Sequence, residues 1–145
     1  MARASGFGSS RGHERCPCSS GMRYENCCEP LHREQQRAAT AEQLMRSRYS
    51  AFALAEVDYL IATHPDASMS PVQRRKELRN YCRETCWLGL KIKALDAGDV
   101  DDMEGTVTFE ATFCAGGRRQ VMTETSFFRR RDGDREGNWL YIRPL

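Results

Sequence analysis

"TAEQLMRSRYSAFALAEVDYLIATHP", residues 40–65, is the stretch on which the fold turns. Thr40 followed three residues later by Gln43 is a capping box, so a helix is expected to start near Ala41. Leu44, Met45, Phe52 and Leu54 supply its apolar stripe. The pattern continues through Tyr59, Leu60 and Ile61 and stops at His64-Pro65, with a break expected near Ala55 or Glu56 that makes two helices of it. Downstream, Ser70 as cap, Pro71 at the first helical position and Gln73 three residues after the cap open a third helix, with Val72, Leu78, Tyr81 and Cys82 expected to face inward. From Trp87 the period changes. Leu88, Leu90 and Ile92 alternate with Gly89, Lys91 and Lys93, and Val107, Phe109, Ala111 and Phe113 alternate in the next segment. "AGG" at 115–117 turns into "RRQVMTETSFFRR", and "NWLYIRP" forms a fourth strand after a polar turn. Three helices followed by an antiparallel meander of about four strands define an α+β fold.

Upstream of that block, "CPCSSGMRYENCC" at 16–28 holds four of the seven cysteines. The odd total and the absence of an apolar leader in residues 1–15 argue against a disulfide framework and against export. Zinc suits the pattern better: it takes four thiolates tetrahedrally, and an all-cysteine shell leaves no position open for a substrate. Ser19, Ser20 and Gly21 supply a turn between the pairs Cys16-Cys18 and Cys27-Cys28, Gly21 being free to take positive φ. Arg15 and Arg23 can offset the charge of a four-thiolate site. His13 and His32 flank the cluster and read as bystanders; Cys82, Cys86 and Cys114 read as buried structural thiols.

The totals exclude several classes. The chain has 145 residues, enough for one ordinary core, and no apolar run of membrane-spanning length. Residues 1–37 hold six arginines against four glutamates, while the remainder carries sixteen basic and sixteen acidic residues. A neutral body argues against specific nucleic-acid binding. The clusters Arg74-Arg75-Lys76 and Arg129-Arg130-Arg131 read as a solvated helix face and a hairpin end. No Ser-His-Asp spacing, phosphate loop or dinucleotide fingerprint is present. His64, between Asp58 and Asp66, reads as a solvent-facing residue at a helix terminus.

Two resemblances follow from these residues. Cys-Pro-Cys-x-Ser-Gly-x-x-Tyr-x-x-Cys-Cys resembles the SEC-C zinc motif; carried over, Cys16, Cys18, Cys27 and Cys28 are the Zn²⁺ ligands and Tyr24 packs beside them. Ser19 stands where that motif usually has its first glycine. The order of "LMRSRYSAF", the tryptophan of the first strand, "ETSFF" and "NWLYI" is similar to YchJ-type proteins, which join a SEC-C motif to a cone-shaped domain like nuclear transport factor two. Many members carry a second SEC-C motif at the other end; this sequence stops at Leu145 without one. The expected organisation is a flexible tail over 1–13, a zinc knuckle over 14–36 and a cone-shaped domain over 37–145, in a cytoplasmic protein. The resemblance implies docking to protein partners, such as the chaperone SecB, or to ribosomes.

Cone folds enclose a cavity, which raises an alternative: a small-molecule binding protein, or a lyase or isomerase. Met122, Glu124, Ser126 and Phe128 share one strand face, and if that face meets the helices Glu124 needs a partner. Arg48, or Arg46, is the expected one, through a buried ion pair. Arg48, Tyr49, Glu124 and Ser126 are then the polar lining of a small-ligand pocket, and the arginine pairing argues against Glu124 as a catalytic base.

Overall fold

The computed structural model describes residues 12–145. The expected tail, residues 1–13, lies almost wholly outside the described residues. A short antiparallel bridge between Arg15 and Arg23 and a 3₁₀ turn over Tyr24–Asn26 lead into helix α1, Glu29–His32. Helices α2 (Ala41–Leu54), α3 (Val57–Ala62) and α4 (Pro71–Glu84) follow, then strands β1 (Thr85–Ala97), β2 (Glu104–Ala115), β3 (Arg118–Arg130) and β4 (Trp139–Pro144). The strands form one antiparallel sheet in the order β1-β2-β3-β4. This is the expected α+β meander.

Local chemistry accounts for the boundaries. The amide of Gln43 donates to Thr40 Oγ1 at 3.0 Å, while Gln43 Oε1 accepts from the Ala39 amide at 2.6 Å. The helix ends where Ala55 enters the left-handed region at φ 59°, and Val57 starts α3. Ser70 caps α4 through the Gln73 amide at 3.1 Å, with Pro71 at its first position. Between β2 and β3, Gly116 and Gly117 both have positive φ, the conformation of a two-residue hairpin turn whose twist matches the strands. Gly105 and Gly98 let the β1–β2 connection close on itself, since a Cβ on Gly105 would lie 2.4 Å from the Gly98 backbone. Gly98 in turn accepts a hydrogen bond from the Ala41 amide at 2.9 Å, fixing the start of α2 against the sheet.

Helix α2 lies across the inner sheet face, burying Leu44, Met45 and Tyr49 against Leu90, Val107, Phe109, Ala111 and Phe128. Cys16, Cys18, Tyr24 and Cys28 belong to the same cluster, so the cysteine segment and the cone share one hydrophobic core. Several hydrogen bonds reinforce the junction. Buried His32 reaches Ser47 O with Nε2 at 2.8 Å and Tyr24 Oη with Nδ1 at 2.6 Å. Arg46 donates to Cys18 O at 2.9 Å, and the Leu90 amide donates to Ser19 Oγ at 3.1 Å.

Three expectations about burial are corrected. Helix α4 buries no residue fully, and Val72 is 80% exposed, because the helix covers only the rim of the sheet and runs without a loop into β1. Cys86 is exposed, and Cys82 and Cys114 are half-buried, so none is a buried core thiol. Arg130 is not part of a solvated end. It is 7% exposed, its guanidinium sits 4.6 Å over the Trp139 ring, and it donates to the carbonyls of Val100, Asp102 and Gly137. Those carbonyls belong to two loops, which Arg130 ties together.

Candidate metal centre and cavity

Cys16, Cys18, Cys27 and Cys28 converge so that their sulfurs all lie within 4.8 Å of one another. The small hairpin does this: the Cys16 amide donates to Met22 O and the Tyr24 amide to Glu14 O, each at 2.8 Å, bringing the two cysteine pairs face to face. Cys18–Cys27 and Cys27–Cys28 are 3.6 and 3.9 Å apart between sulfurs. A tetrahedron with bonds of about 2.3 Å has edges of about 3.8 Å, so the donor set fits a zinc-sized thiophilic ion. Hydrogen bonds within the cluster split the acidities. Bonding to Cys16 draws Cys18 well below the ordinary thiol range and Cys27 down to about 7. Bonding to Cys18 and to Cys16, respectively, pushes the Cys16 and Cys28 thiols up. Binding of a dication by all four sulfurs would release the remaining protons.

The flanking residues behave as the motif requires. Ser19, at the usual glycine position, takes φ 67°, and its hydroxyl bond to Leu90 offsets that conformation. Gly21 takes φ 88°. Tyr24 is fully buried. His32 spends both ring nitrogens on Tyr24 and Ser47, and His13 pairs with Glu25 at 2.8 Å, so each histidine has a role outside the four-sulfur set.

The second feature is a cavity of about 170 Å³ between α2, the end of α4 and the inner sheet face. Arg48, Tyr49, Glu124 and Ser126 all border it, as does the aromatic wall around Trp87. Met122, Glu124, Ser126 and Phe128 do face the helices. The expected ion pair is absent among the described residues, because each group has another partner. Glu124 Oε2 accepts from Ser126 Oγ at 2.8 Å. Arg48 donates through Nη1 to Leu60 O at 3.0 Å and Thr63 Oγ1 at 2.6 Å, and its guanidinium lies 5.1 Å from the Tyr141 ring centre. Burial draws its pKa down to about 10. Arg46 pairs instead with Glu42 at 3.0 Å.

Tyr49 Oη and Trp87 Nε1 are buried, the indole with no hydrogen-bond partner among the described residues. Burial pushes the Tyr49 phenol up to about 12, an effect partly offset by the Gly89 backbone amide. Sequence reasoning placed Tyr49 but missed Trp87, Phe52, Tyr81 and Tyr141. The inward placement of Phe52 and Tyr81 in the helix patterns was the available signal. His64 is half-buried rather than solvent-facing: its Nδ1 meets Tyr141 O at 2.9 Å, and burial lowers its pKa. Asp58 pairs with Arg75 and Asp66 accepts from the Ser68 amide, so neither serves His64 as an acid–base partner.

A four-cysteine knuckle docked on a cone of helices and a curved sheet defines a class of protein, the SEC-C motif protein with an NTF2-like domain. Residues 40–144 match the family described as "YchJ, middle NTF2-like domain", and residues 14–30 match the SEC-C motif. The chain belongs to this YchJ-like family. Its relatives include a UPF0225 protein of Pectobacterium carotovorum, 42% identical over 133 residues, with 89% of this chain and 81% of the relative covered. A UPF0225 protein of Chromobacterium violaceum is 40% identical, covering 90% and 91% respectively. Among solved structures, a SEC-C motif containing protein from Rhodopseudomonas palustris superposes with a TM-score of 0.72 at 33% identity, covering 90% of this chain and 96% of that one. One from Psychrobacter arcticus gives 0.74 at 29% identity, covering 94% and 84%. No helix among the described residues is long and apolar enough to cross a membrane.

Proposed function

We propose that the chain is a zinc-structured adaptor rather than a catalyst, with residues 14–36 as a docking knuckle on the cone formed by 37–145. The observation that carries this reading is the four-sulfur cluster: with Cys16, Cys18, Cys27 and Cys28 as ligands, every tetrahedral position is taken by protein. Zn²⁺ there supplies a cross-link between the two cysteine pairs, and its binding energy is folding energy for a segment too short to fold by burial alone. The inner side of the knuckle is spent on the cone. Its outer side presents Arg15, Arg23 and the 49%-exposed Met22, a basic and apolar surface suited to a protein partner or a ribosome. The cytoplasm is the compartment consistent with free thiols.

Sedimentation with purified bacterial ribosomes and gel filtration with SecB test the reading. Wild-type protein is expected to co-migrate with one of them, and Arg15→Glu/Arg23→Glu, with its metal retained, is expected to migrate alone. Failure of wild type to associate with either, or equal association of the double variant, contradicts the docking role.

A second reading has its own observation. The cavity gathers Arg48, Tyr49, Glu124 and Ser126 on an otherwise apolar wall, the composition of a small-ligand site. Arg48 is committed to Leu60 and Thr63, and Glu124 to Ser126, which favours binding over proton transfer.

A further inference from the structure

Three cysteines lie outside the four-sulfur set, and two of them stand opposite each other in the sheet. Strands β1 and β2 pair with Cys86 against Cys114 and, one step on, Trp87 against Phe113. The Trp87 and Phe113 rings are 5.3 Å apart between centres, so side chains across this part of the ladder meet as the register requires. Trp87 borders the cavity beneath α2. Alternation therefore puts Cys86 and Cys114 together on the outer face of the sheet. Cys86 is exposed, Cys114 is half-buried, and both are free thiols. Neither is needed by the core or by the metal centre.

We propose that Cys86 and Cys114 are a redox pair, which a small anionic disulfide of the glutathione class closes into a cross-strand disulfide. Reach is the first argument. Directly opposed residues of an antiparallel pair have Cα atoms about 4.5–5.5 Å apart, inside the roughly 4.4–6.8 Å that a disulfide spans. Closure then takes rotation of both side chains and a small approach of the strands. β1 is an edge strand, and a bulge follows between Trp87 and Gly89, so this end of the ladder has room to adjust. Access is the second argument. Exposed Cys86 is the sulfur an external reagent meets first, and half-buried Cys114 is the one that resolves the adduct. Charge is the third. Arg119 on β3 is the register partner of Cys114 and shares its face, so an oxidant carrying carboxylates meets a cation beside the pair. Cys82 stands apart in α4, where burial pushes its thiol up.

The exchange balances without a further reactant. The Cys86 thiolate attacks one sulfur of glutathione disulfide, forming a mixed disulfide and expelling one glutathione thiolate. The Cys114 thiolate attacks the Cys86 sulfur, the protein S–S bond forms, and the second glutathione leaves. Two protein thiols are oxidised, one glutathione disulfide is reduced to two thiols, and the two protons pass to them. The closed form pins the start of β1, and with it Trp87, to β2.

The test uses the full chain, supplied with zinc so that the knuckle sulfurs are engaged, and glutathione disulfide as the probe. Intact mass and peptide mapping read the outcome. Wild type is expected to lose about two mass units and to yield one cross-linked peptide joining Cys86 to Cys114, reversed by dithiothreitol. Cys114→Ser is expected to stop at the mixed disulfide, gaining about 305 mass units at Cys86. Cys82→Ser is expected to cross-link as wild type does. Arg119→Glu is expected to slow the reaction about threefold at low ionic strength. Wild type that keeps both thiols, that accumulates the Cys86 adduct without closing it, or that cross-links through Cys82 or a knuckle cysteine overturns the proposal. An unchanged rate in Arg119→Glu overturns the choice of an anionic oxidant.

Discussion

His32 is the residue that ties the cysteine segment to helix α2, and its replacement by phenylalanine tests how much that tie contributes. The Ser47 carbonyl can only accept, so Nε2 carries the proton and Nδ1 accepts from the Tyr24 hydroxyl. Phenylalanine keeps a buried ring and removes both bonds. At about 1 kcal/mol net for each buried hydrogen bond, His32→Phe should cost about 2 kcal/mol and Tyr24→Phe, which loses only one, about 1 kcal/mol. The double variant should cost no more than His32→Phe alone, because the shared bond is lost once; that is a coupling of about 1 kcal/mol. Urea unfolding followed by tryptophan fluorescence, at constant metal content, reads the effect. With a slope of about 1.5 kcal/mol/M, the His32→Phe midpoint falls by about 1.3 M. Strictly additive variants, or a His32→Phe protein within 0.5 kcal/mol of wild type, would refute the reasoning: the knuckle would then lean on the cone through apolar contact alone.

Three other perturbations have defined signs. Arg130→Met should destabilise by about 3 kcal/mol in the same unfolding assay, since the charged bonds to three loop carbonyls are lost while the contact with Trp139 is partly kept. Ala55→Gly should stabilise by roughly 0.5–1 kcal/mol, because Ala55 is exposed and sits at φ 59°, where glycine has no Cβ to strain. For His64 the folded pKa lies below the unfolded value of about 6.5, burial being the main cause and the Arg48 and Arg74 charges adding to it. The unfolded chain therefore binds more protons in that window, so stability should fall as pH drops below about 6.5 towards the folded pKa. His64→Gln should flatten that slope; an unchanged slope in denaturation series at successive pH values would remove His64 as its source.

The elements were legible because their signals are local. Thr40–Gln43 and Ser70–Gln73 place two helix starts, Ala55 falls at the anticipated break, and alternation of Val107, Phe109 and Ala111 marks β2. The four cysteines were legible because metal-ligand spacing is a chain-local property. What the sequence hid depends on contacts across the chain. Arg48 and Glu124 were opposed charges on facing elements, yet the Leu60 carbonyl of α3 and Thr63 reached Arg48 first, and Ser126, two residues away, reached Glu124. Arg130 resembled its exposed neighbours Arg129 and Arg131, but alternation along β3 turned it alone inward. Helix α4 had an inward stripe on paper and too little sheet beneath it to bury that stripe. The shared core was hidden for the same reason: the packing of Tyr24, Cys18 and Cys28 on α2 joins residues far apart in the chain.

The most direct test of the account is the metal content of the purified, reduced protein by elemental mass spectrometry, wild type beside Cys16→Ser/Cys28→Ser. The account predicts one zinc per wild-type chain and none in the double variant, with the variant's unfolding midpoint lowered because the knuckle and the cone share a core. Metal-free wild type, or a double variant that keeps its zinc, contradicts it.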